Sequence, residues 1–195
     1  MDSHEWLPFL QQWSREIATA PNQVEKLPPD VIASGWLGYP GATEEQLQQA
    51  EARLGVHLPP SYRTFLATTN GWRTTGTFID RLWSTEEVEW FKARNQDWID
   101  AYTQFGYTEV SDEEYFVYGD EQDSAFFRTE YLTSALEISD VGDSAILLLN
   151  PQVVSPQGEW EAWFFANWLP GATRYRSFWD LMQAQYHSFR ELASS

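Results

Sequence analysis

The chain has 195 residues, no cysteine, and 29 acidic against 12 basic side chains, a formal net charge of −17. The missing cysteines exclude disulfides, thiolate catalysis and thiolate metal sites, and the negative field repels nucleic acid, anionic lipid and nucleotides while attracting basic partners. A domain of this length buries about 70% of its unfolded surface, and with 11 Trp, 9 Tyr and 12 Phe it builds its core from large rings whose N–H and O–H groups need partners.

Ser3 to about Ala18 reads as an amphipathic helix, with Trp6, Leu7, Phe9, Leu10, Trp13 and Ile17 on one broad face. Pro21-Asn22 breaks it. The connection to Pro40 is punctuated by Pro28, Pro29, Gly35 and Gly38, with Trp36, Leu37 and Tyr39 expected to plug the core. The N-terminal stretch is acidic early and has no basic region followed by an apolar run. No stretch approaches the ~20 apolar residues of a membrane span. A cytoplasmic location is expected.

Between Gly41 and Trp72 the sequence GATEEQLQQAEARLGVHLPPSYRTFLATTNGW spells out two helices. Thr43 caps the first and Gln46 closes a capping box. Leu47, Ala50 and Leu54 draw one apolar stripe, and Gly55 ends the helix in a left-handed conformation. Pro59-Pro60 can start a helix but not continue one. Tyr62, Phe65, Leu66 and Thr69 line the second helix, which Asn70-Gly71 stops.

A short strand is expected at Thr77–Leu82. A helix capped by Ser84 and Glu87, with Val88 and Phe91 on its apolar face, and a further helical turn or two over Asp97 to Phe105 follow. From Tyr115 the pattern changes. YFVYG, RTEYLTSALEIS, SAILLLN and EWEAWFFANW are rich in β-branched and aromatic residues and bounded by turn residues, so they read as strands. Ala145–Leu149 is continuously apolar and predicts a central strand covered on both faces. In EWEAWFF, Trp160, Ala162 and Phe164 alternate with Glu159, Glu161 and Trp163, the pattern of a half-buried strand. Ser177 opens a closing helix carrying Phe178, Leu181, Met182, Tyr186 and Phe189. Helices, then a run of antiparallel strands, then a helix argue an α+β fold, an antiparallel-dominated twisted sheet flanked by helices. One domain over 1–195 is expected, with 1–40 an N-terminal helix and connection and 41–195 the core.

Chemistry is sparse. His4, His57 and His187 have no motif partner, and neither a nucleophile elbow, a Walker loop, a dinucleotide fingerprint nor HExxH occurs. From Glu109 to Asp143, however, eleven acidic residues accompany one base, Arg128, a local net of −10. Two clusters stand out: Asp112, Glu113 and Glu114, then Asp120, Glu121 and Asp123. Calcium or magnesium is conceivable there, but Gly119 precedes the acids and the spacing is not that of an EF-hand. No metal site and no cofactor are expected. Glu159 and Glu161 would serve as a glycosidase pair only with a partner across a cleft; a solvated strand face is the expectation. The acidic stretch has two readings, a solubilising surface or a docking face for a basic protein, the second kept open by its interleaved rings Tyr115, Phe116, Tyr118, Phe126, Phe127 and Tyr131.

The order of residues in the helix pair, with LGVHLP, YRTFL and NG at characteristic spacings, resembles the SUKH superfamily. LEISDVGDSAILLLNP is similar to its strand, Gly-Asp turn and strand, and EWEAWFFANWLPGATRYRSFWDLM to its glutamate/tryptophan strand and closing helix. The resemblance covers most of the chain after Gly41; Trp83–Phe105 and the helix before Pro21 are less typical. It implies an α+β fold that carries binding functions. Many bacterial members look like immunity proteins that neutralise toxins, frequently nucleases. Other relatives are a fungal cell-wall and signalling regulator and a module of ubiquitin-ligase substrate receptors. The expectation is therefore a non-enzymatic immunity protein, monomeric or weakly dimeric, that occludes a cognate basic toxin through Asp112, Glu113, Glu114, Asp120, Glu121 and Asp123. An adaptor of the same fold, or a carboxylate-dependent carbohydrate-active or metal-dependent hydrolase, is the alternative.

Overall fold

The computed structural model describes residues 3–104 and 109–193. In chain order the elements are α1 (Ser3–Thr19), α2 (Pro21–Val24), α3 (Pro29–Ser34), α4 (Glu44–Leu54), α5 (Pro60–Thr68), β1 (Glu89–Trp90), α6 (Gln96–Thr103), α7 (Asp112–Tyr115), β2 (Leu136–Glu137), β3 (Ala145–Val154), β4 (Trp160–Ala166), β5 (Ala172–Tyr175) and α8 (Phe178–Ala193). The strands form one antiparallel sheet in the order β1-β2-β3-β4-β5. The fold is α+β, as the sequence pattern predicts.

The helix pair follows its punctuation. Thr43 and Gln46 make both bonds of the capping box, at 3.2 and 2.9 Å, and Gly55 closes α4 with φ +72°. Pro60 is the first residue of α5. Leu47, Ala50 and Leu54 of α4 and Tyr62, Phe65 and Leu66 of α5 are buried. Trp6, Leu10, Trp13 and Ile17 form the buried stripe of α1, whereas Leu7 stays exposed.

Two apolar layers sandwich the sheet. On one face, Leu147, Leu149, Ala162 and Phe164 pack with side chains of α1, α5 and α8. On the other, Ile146, Leu148, Trp163 and Phe165 pack with Phe91, Ile99, Phe127 and Leu132. The continuous run Ala145–Leu149 is thus buried on both faces. So is the whole of β4, which corrects the expectation of a half-buried strand: the side of Trp163 and Phe165 is roofed by α6 and the 3-10 turn Thr129–Ser134.

Other expectations give way to tertiary context. No strand forms at 77–82; Leu82 alone bridges Trp72 and Ser139, because the hydroxyls of Thr74 and Thr75 close the intervening loop onto the carbonyl of Ile79. Ser84 and Glu87 bond as a cap should, but only one turn follows before Glu89 and Trp90 join the sheet opposite Glu137 and Leu136. The turns expected over 97–105 appear as α6; Phe105 lies outside the described residues. Residues 115–119 and 128–134 are not strands: they are the end of α7, coil and a 3-10 turn. Leu132 and Tyr131 pack onto the face of the sheet, which β-propensity alone does not distinguish from lying within it.

Candidate functional site: an acidic segment on a buried carboxylate

The residues expected to carry function lie between Val110 and Phe127. Ser111 caps α7, accepting from Glu114 N–H while its own N–H and hydroxyl donate to the Glu114 carboxylate at 3.1 and 2.9 Å. This one turn places Asp112, Glu113 and Glu114 outside and Tyr115 inside. After Tyr118 a 3-10 turn, Gly119–Glu121, presents Asp120 and Glu121, and Asp123 accepts from the Ala125 N–H at 2.9 Å. All six predicted carboxylates are exposed and lie on this one segment. They are not equivalent. Asp112 pairs with Arg128, Glu114 is spent on its cap and Asp123 on its turn. Among the described residues no hydrogen bond or ion pair engages the carboxylates of Glu113, Asp120 or Glu121. Three other acids of the stretch belong elsewhere: Glu137 is buried, Asp140 bonds Arg81 and Trp83, and Glu130 is half-buried.

What holds the segment is Glu161 of β4, which is 1% exposed. Its carboxylate accepts from the hydroxyls of Tyr115 and Tyr118, each at 2.7 Å, from Trp163 Nε1 at 2.7 Å and from Asn150 Nδ2 at 3.1 Å. A charge taken out of water is tolerated only when its lone pairs are satisfied this fully. Burial, reinforced by the neighbouring Glu161, raises both tyrosine hydroxyls far above their usual range, so both remain donors. The same cluster holds Arg174 of β5, 1% exposed, which donates to the carbonyl of Tyr115 and stands 4.3 Å from that ring's centroid. Arg128, the one base of the stretch, donates to the carbonyl of Val110 at 2.9 Å and lies 4.6 Å from the centroid of the same Tyr115 ring. The segment's basic charge is therefore turned inward and its acidic charge outward.

Glu159 and Glu161 correct the expectation of a solvated strand face. Glu161 is the buried hub, and Glu159 accepts from the N–H and hydroxyl of Ser61, at 2.9 and 2.6 Å, at the N-terminus of α5, where a negative charge is favoured. Sequence reasoning missed Glu161 because its donors Tyr115 and Tyr118 lie more than forty positions upstream. The available signal was the run of rings at both parities of β4, Trp160, Trp163, Phe164 and Phe165, which implies cover on both faces.

The helix pair, the β2–β3 hairpin, the β4–β5 hairpin and α8 together make the arrangement that the sequence resemblance implied. A family model, that of the SMI1 / KNR4 family (SUKH-1), matches residues 41–192. The chain belongs to the SMI1/KNR4 family. The SUKH-1 match begins at Gly41, so α1 to α3 lie outside it, although α1 supplies core residues. A search of curated proteins finds none that matches. Among the described residues no helix is long and apolar enough to cross a membrane.

Proposed function

We propose that this SUKH-1 protein is a non-enzymatic immunity protein of the cytoplasm, monomeric or weakly dimeric. It neutralises a cognate toxin by one-to-one binding and occlusion. The supporting observation is the anchored segment itself: six exposed carboxylates, with Phe116 and Phe126 exposed at 43% and 39% between and beside them. Carboxylates steer a cationic partner into encounter, and aromatic anchors hold it once docked. A nuclease fits as the partner, because it carries cationic groups where it grips phosphates, and an acidic surface of matching shape covers them. Family membership supports the same reading, since many bacterial SUKH proteins look like immunity proteins.

The test is co-expression of this protein with the product of its neighbouring gene, scored for rescue of growth and for co-purification. Rescue with a stable complex is expected. A neighbour that is harmless, or that stays toxic and unbound, would overturn the immunity reading in favour of an adaptor role.

A further inference from the structure

Among the described residues the sheet ends on β5, with no strand beyond it. Arg174 nevertheless has partners on that outer edge for both of its peptide groups. Gln122 Oε1 accepts from the Arg174 N–H at 2.6 Å, and Gln122 Nε2 donates to the Arg174 carbonyl at 2.9 Å. These are the two bonds that a directly opposed residue of an antiparallel neighbour would make. The side-chain amide of Gln122 therefore stands where the N–H and C=O of one residue of a sixth strand would stand. A groove of about 480 Å³ lies at the same place, lined by Thr173–Arg176, by Tyr118, Gly119, Asp120 and Gln122 of the facing turn, and by Asp180 and Ala184 of α8.

Resting on the acidic-face reading above, we propose that an extended basic segment of the partner protein pairs with β5 from Arg174 onward as a short sixth, antiparallel strand, displacing Gln122 from Arg174; toward Gly171 and Ala172 the edge is covered by Ser124 and Phe127. Strand addition draws affinity from main-chain hydrogen bonds and specificity from alternate side chains. The exchange at Arg174 is close to neutral in hydrogen bonds, since the N–H and C=O of the added residue replace an amide of the same chemistry, and the long bond from Gln122 Nε2 to the Val117 carbonyl, at 3.3 Å, is given up to water. Charge selects the occupant. Asp120 and Asp180 are exposed at the groove and Glu121 adjoins it, so Lys or Arg side chains of an added strand meet carboxylates. A second copy of this chain would bring another −17 to the same edge and is disfavoured. Arg176, exposed at the end of β5 with its guanidinium 4.9 Å from the Tyr118 ring centroid, calls for a neutral or acidic residue of the partner at that end.

The probes are three short peptides used with the full-length protein: alternating Lys and Thr, the same peptide N-methylated at alternate backbone positions, and alternating Glu and Thr. The readouts are affinity, amide spectra and hydrogen exchange. The plain Lys–Thr peptide should bind, shift the Arg174 backbone and Gln122 side-chain resonances, and slow exchange of the Arg174 amide at least tenfold. N-methylation should weaken binding at least tenfold, and the Glu–Thr peptide should not bind. In Gln122→Ala, with the competing amide gone, affinity for the plain peptide should rise about threefold or more. Equal binding of plain and N-methylated peptides without change at Arg174 would overturn strand addition while leaving the acidic-face reading standing. Binding of the Glu–Thr peptide would overturn the basic occupant. Failure of both Lys–Thr peptides to bind would overturn the groove as a docking site, with the immunity reading judged separately by co-expression. The comparison between peptides uses the unmutated protein, so it holds even if Gln122→Ala folds poorly.

Discussion

The Tyr118 hydroxyl donates to the Glu161 carboxylate at 2.7 Å, joining an exposed acidic turn to the sheet beneath it. Hydrogen bonds to a charged group contribute about 1.5–3 kcal/mol. Tyr118→Phe keeps the ring near Arg174 and Arg176 and removes only this bond. It should cost about 1–2 kcal/mol in urea unfolding, since Glu161 keeps three other donors. Hydrogen exchange should accelerate selectively over 112–122. Uniform acceleration across the chain would mean that the bond serves global stability and not the placement of the acidic turn.

Charge on that turn should govern encounter with the partner. Reversing Asp120, Glu121 and Asp123 to Lys alters the local charge by six units without touching the core. Association should slow by roughly tenfold or more at low ionic strength and lose much of its salt dependence. Dissociation should change less, because apolar anchors such as Phe116 and Phe126 are retained. Association kinetics over a salt series check this; unchanged rates would move the interface elsewhere.

Glu137 makes stability fall as pH rises. It is buried on β2 opposite Glu89, with Asn95 Nδ2 donating to it at 2.9 Å. Burial pushes its carboxyl from 4.5 up to about 7, the nearby Arg94 pulling it down and Asp140 and Glu89 adding to the rise. The folded state thus binds this proton more tightly than the unfolded chain does. Its stabilising contribution is full below about pH 4.5 and is lost as pH climbs through about 7. The loss is on the order of 3 kcal/mol. Glu137→Gln should therefore be more stable than the unmutated protein at pH 8 and nearly equal to it at pH 4.5, as read by urea unfolding at both. A variant equally destabilised at both pH values would show that Glu137 is ionised throughout.

Local signals were legible where the chain itself supplies both partners. Thr43 and Gln46, Gly55, and Pro60 sit within one turn of what they cap or break, and α4 and α5 form where they say. The apolar run of β3 likewise carries its own evidence of burial. What stayed hidden depends on distant residues. β1 is two residues long and exists because Leu136 and Glu137, almost fifty positions on, offer a ladder. The density of the six acidic residues marks them in the sequence, yet the hub that positions them reads as solvated because Glu161 alternates with rings. Alternation reports one dry face only when the other face lacks cover, and cover here comes from α6 and the turn at Thr129–Ser134.

Gly41, the first residue of the family match, tests whether the helix pair is locked to the chain that enters it. The Ala42 N–H donates to the carbonyl of Leu66 at 2.8 Å, and the Asn70 N–H to that of Pro40 at 3.1 Å. Residues 40–42 thereby lie flush against the end of α5, and a Cβ on Gly41 would stand 2.1 Å from the carbonyl oxygen of Ala67. That obstacle is helix backbone, not the end of a flexible side chain, so Gly41→Ala must separate the two segments and strain both hydrogen bonds. Overpacking of this kind costs ~1–3 kcal/mol or more. At Gly55 the opposite holds: φ is +72° but nothing lies within 4 Å of a Cβ, leaving only the left-handed penalty of about 1–2 kcal/mol. Thermal or urea unfolding should rank Gly41→Ala as the more damaging. The reverse order would mean that the entering chain yields, and that the close approach at Gly41 is not what locks it to the end of α5.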